Sequence, residues 1–116
     1  MKDTIKDLKV VVVKDGEHLV AQCLDYDFAV QAPLVDGLEA LKSRFARVLA
    51  GFIIAAKENG IIPFERLKLA PLFFWKLWIS DSKHKQVEMA QVDLTEKEAF
   101  LSSQNIEAVA TFLVHL

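Results

Sequence analysis

Residues 8–32 read LKVVVVKDGEHLVAQCLDYDFAVQA, and the pair Asp15-Gly16 inside that stretch decides the fold. An Asp-Gly pair between two apolar runs signals a tight hairpin, because both residues tolerate a positive φ. The outgoing strand is Leu8 to Val13, rich in β-branched valine, and the return strand is His18 to Cys23. Leu24 to Tyr26 turns the chain again, and Phe28 to Ala32 reads as a third strand. Together these segments predict a three-stranded antiparallel meander.

Pro33 closes the meander, since proline has no N–H for a sheet ladder. The period then becomes helical. Val35, Leu38, Leu41, Phe45, Val48, Leu49, Phe52, Ile53 and Ala56 recur at steps of three and four, with Asp36 at the acidic start and Gly60 placed as a C-terminal cap. This spacing predicts one long helix, Val35 to Asn59, lying across one face of the sheet. Ile61 to Leu69, with Pro63, reads as an irregular connection, and Ala70-Pro71 as the start of a second, aromatic helix. Ser80 to Gln86 is a polar break. Val87 to Leu94 is a candidate strand, and Thr95 to Glu98 a solvated helical turn or loop. Ile106 to Leu113 is a strand apolar on both sides, hence central or covered on both faces.

The expected fold is therefore α+β: an antiparallel β-meander with a long helix on one face, plus an aromatic helix and C-terminal strands. At 116 residues it forms one domain, with a core over 6–60, a helical extension over 61–82 and strands within 86–115.

Composition narrows the function. A net charge of −2 argues against a general phosphate-binding surface, so direct DNA binding is not expected. A single cysteine, Cys23, excludes an intramolecular disulfide and fits a reducing, cytoplasmic setting. Met1 to Lys9 is charged and has no apolar core of a secretion signal. The longest apolar stretch, Val48 to Ala56, falls far short of the ~20 residues of a membrane span.

Few residues suggest chemistry. Asp25 and Asp27 form a D-x-D pair whose two readings are part of a metal site, joined by Glu17 or Glu39, and capping of a turn. Capping is preferred, because aspartate serves turns readily. Cys23 and His18 lie five apart on one strand, which sets them on opposite faces and spoils a nucleophile–base pair. Cys23 is read instead as a small core residue at a strand end. His18, His84 and His115 lack ligand spacing. No cofactor, metal or catalytic residue is expected. The cluster Phe73, Phe74, Trp75 and Trp78 divides into Phe74 and Trp78 for the core and Phe73 and Trp75 for an oligomer interface.

The segment Asp15 to Leu49 also carries a pattern, DGEHLVAQCLDYDFAVQAP followed by VDGLEALKSRFARVL. In Asp15, Gly16, Val20, Ala21, Gln22, Cys23, Leu24, Tyr26, Asp27, Ala29 and Gln31, and in the helix signature Glu39, Ala40 and Leu41, it resembles the HicB-like antitoxin family. The stretch FERLKLAPLFFWKLW from Phe64 is similar to an extension of stand-alone members. The resemblance implies a β-β-β-α-β core like a partial ribonuclease H fold, homo-oligomeric assembly, and a bound toxin that is a small basic ribonuclease. The DNA-binding module that many members carry has no counterpart after Gly60, where neither a helix-turn-helix pair nor a basic strand arm occurs. The function expected is thus a non-catalytic protein-binding module, with Tyr26, Asp27, Asp36 and Glu39 at the contact with a basic partner. The alternative is a stand-alone homo-oligomeric structural protein of the same fold.

Overall fold

Gly16 turns the chain with φ of +60°, and the two arms of the hairpin pair from Asp15 opposite His18 back to Val10 opposite Cys23. The structure, a computed structural model, describes residues 3–62, 68–82 and 88–115. Strand β1 is longer than its valine run implies, spanning Asp3–Asp15. Strand β2 covers His18–Cys23 and β3 Ala29–Pro33, paired antiparallel from His18 opposite Pro33 to Gln22 opposite Ala29. A 3₁₀ turn, Leu34–Asp36, leads into helix α1, Gly37–Glu58. Helix α2 is Leu72–Ser82, strand β4 Glu88–Asp93, helix α3 Ala99–Ser103 and strand β5 Ile106–His115.

The molecule is α+β, with a five-stranded mixed sheet in the order β3-β2-β1-β5-β4. The strand that closes the core beside the meander is β5, which runs parallel to β1, while β4 lies outside it and antiparallel. Ile106, Ala108, Ala110 and Phe112 of β5 are buried against the α1 side. Leu113 points to the other face and is fully buried with Val11 beneath α2. Alternate residues of a strand face opposite ways, so a strand covered from both sides must be apolar on both.

Two layers of helix therefore sandwich one sheet. On the α1 side, Phe45 is fully buried, stacked on Phe28 at 5.2 Å and edge-on to Phe112 at 5.4 Å. Full burial of a phenylalanine stabilises a fold by about 1.5–3 kcal/mol, to which well-placed aromatic pairs add. Gly60, with φ of +63°, ends α1: its N–H donates to the Lys57 carbonyl and that of Ile61 to Ala56, a Schellman closure.

Four boundaries differ from the expectation. The helix starts at Gly37 rather than Val35, and Val35 leaves the apolar stripe altogether, at 92% exposure. Gly37 adopts φ of +83° and ψ of 174°, a conformation open essentially to glycine alone, and this kink resets the phase of the stripe. Helix α2 begins at Leu72, just after Pro71, and runs through Ser80–Ser82, where a polar break was expected. A 3₁₀ turn at Leu94–Lys97 replaces the end of the expected strand, and α3 follows it, capped by the Glu98 carboxylate accepting from the Phe100 N–H. Leu94 and Leu101 anchor these turns in the core. Pro63, His84, Val87 and the stretch 83–86 lie outside the described residues. No helix among the described residues is long and apolar enough to cross a membrane.

Candidate partner-binding surfaces

The motif residues of the β2–β3 connection are first of all structural. Gln22 is buried, and its amide N–H₂ faces three oxygens: the Cys23 carbonyl at 2.9 Å, the Phe28 carbonyl at 3.2 Å and Asp27 Oδ1 at 3.0 Å. Three acceptors around one nitrogen leave no place for the amide oxygen, which orients the group. Asp25 Oδ2 accepts from the Lys9 N–H at 2.7 Å, and its other oxygen lies 4.0 Å from Lys9 Nζ. The backbone then ties this loop to the segment just before α2, through Asp27 N–H to the Lys68 carbonyl and Ala70 N–H to the Leu24 carbonyl. Asp25 and Asp27 are thus engaged separately in loop capping. Among the described residues, no three His, Cys, Asp or Glu side chains converge as a metal site would require.

Cys23 is fully buried in the α1-side core, whereas His18 is exposed. Burial pushes the Cys23 thiol up to about 11, because the thiolate loses hydration there, and the Asp25 charge adds to the rise against the lowering effect of backbone N–H groups at Tyr26 and Leu24. An activated nucleophile needs the opposite shift.

The four residues expected at a partner contact do not form one site. Tyr26 and Asp27 sit in the loop before β3, with Tyr26 half-buried against the α1-side core and Asp27 exposed. Asp36 and Glu39 sit after β3, at the other end of the sheet, because a five-residue strand carries the chain about 16 Å. What surrounds this second pair was not anticipated. The Leu34 N–H donates to the Glu17 carbonyl at 2.7 Å, which fixes the β1–β2 turn beside the 3₁₀ turn. Glu17, Asp36 and Glu39 are all exposed, as is Val35 of the 3₁₀ turn. Glu39 holds Lys97 at 2.6 Å and Lys42 at 3.3 Å, and these cations lower its carboxyl below the ordinary value. Its side chain stays 71% exposed, so the pairs are screened. Lys42 is buried alongside, its stem covering apolar surface as long cationic side chains do.

The aromatic helix forms a third surface. Phe74, Trp75, Leu77 and Trp78 pack over Val11, Leu24, Ala70 and Leu113. Trp75, expected at an oligomer interface, is turned onto the chain's own sheet, because residues 74, 75 and 78 share the inward side of the helix. Its indole N–H is buried without a hydrogen-bond partner among the described residues. Phe73 is 62% exposed and meets Phe74 edge-on at 5.2 Å. Leu69, Leu72 and Ile79 are also more than half exposed. Between this helix and the hairpin lies an open groove of about 520 Å³, lined by Val13, Lys14, Asp15, Val20, Phe73, Phe74, Leu77 and His115. A smaller polar hollow near Thr95 and Asn105 is lined in part by Asp93 and Glu107.

No protein-family model, no curated protein and no solved structure matches the chain.

Proposed function

We propose that the chain is a non-catalytic protein-binding module that offers its hairpin end to a small basic protein, in the way a HicB-type antitoxin occupies a small basic ribonuclease. The observation that carries this reading is Val35, an aliphatic side chain 92% exposed on a 3₁₀ turn that also carries the exposed Asp36, tied by the Leu34 N–H to the Glu17 carbonyl and followed by Glu39 in the first turn of α1. An apolar contact inside a polar rim is the general layout of a specific interface. Carboxylates around it favour a cationic partner and speed its approach. The resemblance of Asp15 to Leu49 to the family supports the same reading, although Gln22, Asp25 and Asp27 in that segment work for the loop itself.

The test is a pull-down from the chain's own host at mild salt, followed by titration of any small basic protein found at matching stoichiometry. Support requires that this protein's ribonuclease activity falls on binding, and that Val35→Asp and Asp36→Lys each weaken the complex. A complex indifferent to both substitutions, or no such protein, would overturn the reading. A second reading, a self-associating structural protein, is favoured by a different observation, the apolar outer side of α2.

A further inference from the structure

The net charge of −2 conceals a segregation along the chain. In sequence, residues 68–85 hold Lys68, Lys76, Lys83 and Lys85 against one acid, Asp81, a local charge of +3, so the rest of the chain carries −5. The same stretch leaves apolar side chains outside. Helix α2 turns Phe74, Trp75, Leu77 and Trp78 onto the sheet, while Leu69, Leu72, Phe73 and Ile79 are each more than half exposed. Lys68 and Lys76 are exposed on that stretch, and neither has an acidic partner among the described residues. The acids nearest to it are engaged elsewhere. Asp25 lies 4.0 Å from Lys9 Nζ, and Asp27 Oδ1 accepts from the Gln22 amide at 3.0 Å. Lys14 and Asp15 line the adjoining groove together and offset each other.

The place of Lys76 selects the occupant of this surface. It stands four positions after Leu72, three after Phe73 and three before Ile79, so it falls inside the apolar stripe and not at its margin. Lysine is depleted at protein–protein contacts, where its ammonium would lose water. A second copy would cover the same side but would bring its own lysines to it. At a bilayer surface the same mixture is favourable. Leucine and phenylalanine side chains enter the boundary between headgroups and acyl chains, and a lysine stem lies along them while its ammonium reaches the phosphates. Such a helix lies in the membrane plane and has no need to cross it; α2, with 11 residues, has about half the length of a span. An anionic surface repels the remainder of the chain and attracts this side, which fixes the orientation. The core beneath α1 is on the opposite face of the sheet, so a molecule resting on α2 keeps α1 in water.

We propose that the outer side of α2 is a contact with the surface of an anionic lipid bilayer. Leu69, Leu72, Phe73 and Ile79 enter the interface, and Lys68 and Lys76 pair with lipid phosphates. The proposal is independent of the basic-partner reading, since Val35 takes no part, and it competes with self-association for the same side.

Flotation of the full chain with phosphatidylcholine vesicles, with or without a third of phosphatidylglycerol, tests it. The chain is expected to float with the anionic vesicles, to stay behind with the neutral ones, and to be released by raised salt. Phe73→Ser and Leu72→Ser each raise the dissociation constant for the anionic vesicles by at least about tenfold, as the loss of a large apolar side chain implies. Lys76→Glu raises it by at least about fivefold, the share of one lysine near an anionic surface. Because Phe73 also touches Phe74, the exposed Leu72 and Lys76 keep the test clear of a folding defect, with circular dichroism unchanged in both variants. Absence of flotation with anionic vesicles would overturn the proposal, and so would equal binding to neutral ones. Flotation indifferent to Leu72→Ser and Lys76→Glu would do the same. A sedimentation coefficient that falls in Phe73→Ser, with no flotation of the parent chain, would assign this side to a protein contact instead.

Discussion

Replacing Gln22 by glutamate changes one N–H₂ group to an oxygen and almost nothing in shape, so it isolates the hydrogen bonds of the β2–β3 connection. The native amide shares two hydrogens among the Cys23 carbonyl, the Phe28 carbonyl and Asp27 Oδ1, at 2.9, 3.2 and 3.0 Å. Each hydrogen bond is worth about 0.5–1.5 kcal/mol net, and more where the acceptor is charged. The ionised replacement donates none and faces three oxygens from a buried position, which adds the cost of a buried, unpaired charge. A loss of at least about 3 kcal/mol follows, roughly 10 °C or more in Tm for a domain of this size. The sign with pH is fixed as well. The site favours the protonated acid, so the folded pKa of the new carboxyl is raised above its unfolded value. The folded state of Gln22→Glu therefore keeps its relative stability in acid and loses it as pH rises through the raised pKa. Urea unfolding followed by tryptophan fluorescence, at acid and neutral pH, gives both numbers. Gln22→Ala should fall in between, since it loses the donors but adds no charge. A Gln22→Glu variant within about 0.5 kcal/mol of wild type at neutral pH, a range usual for surface changes, would refute the assignment of this amide as the lock of the loop.

Three further outcomes are expected. Cys23, buried and with its thiol pushed up to about 11, should resist alkylation by iodoacetamide at pH 8 in the native protein and react fully in urea; rapid native labelling would show the burial to be wrong. Because the folded thiol pKa is raised, its contribution to stability is complete below the unfolded value of 9.0 and fades as pH climbs toward 11, so this group costs nothing in acid or neutral buffer. Gly37→Ala should destabilise by about 1–3 kcal/mol although no atom lies within 4 Å of the added methyl, the whole cost being backbone strain; a neutral result in thermal melts would contradict the φ of +83°. Trp75→Phe removes a buried N–H with no partner, worth about 1–3 kcal/mol unsatisfied, and should offset much of the lost packing, leaving Tm nearly unchanged; a steep fall in Tm would mean that the indole N–H has a partner after all.

Much of this architecture is written in local chemistry. Asp15-Gly16 needs a positive φ and takes one, and Gly60 closes α1 for the same reason. The three- and four-residue spacing of Leu38 to Ala56 had to produce a helix with one buried stripe, and β5 had to be covered on both faces because both are apolar. The turn at Leu94–Lys97 matches the helical turn expected over Thr95 to Glu98, whereas the short helix Ala99–Ser103 was not legible. It holds one deeply buried leucine, Leu101, beside the partly buried Phe100, and so short a segment produces no period. The parallel pairing of β1 with β5 was equally hidden, since parallel register is a property of two distant segments and leaves no mark in either.

The candidate sites were less legible than the fold, and the reason is spatial. Tyr26 and Asp27 stand ten and nine positions before Asp36 in the chain, close in sequence, yet β3 lies between them and puts the pairs at opposite ends of the strand. Conversely, Glu17 is far from Asp36 in sequence and is brought beside it by one backbone hydrogen bond to Leu34. Val35 shows how a correct rule selects the wrong residue. It stands three positions before Leu38 and so falls in phase with the buried stripe, but phase is inherited only through continuous helical backbone, and Gly37 at φ of +83° breaks that continuity. Beyond the break, an aliphatic residue in register with the core is thrown into solvent among carboxylates. Where every local preference but one agrees with the global fold, the dissenting position is where function is to be sought. Here that position is Val35, an aliphatic side chain held out on its turn.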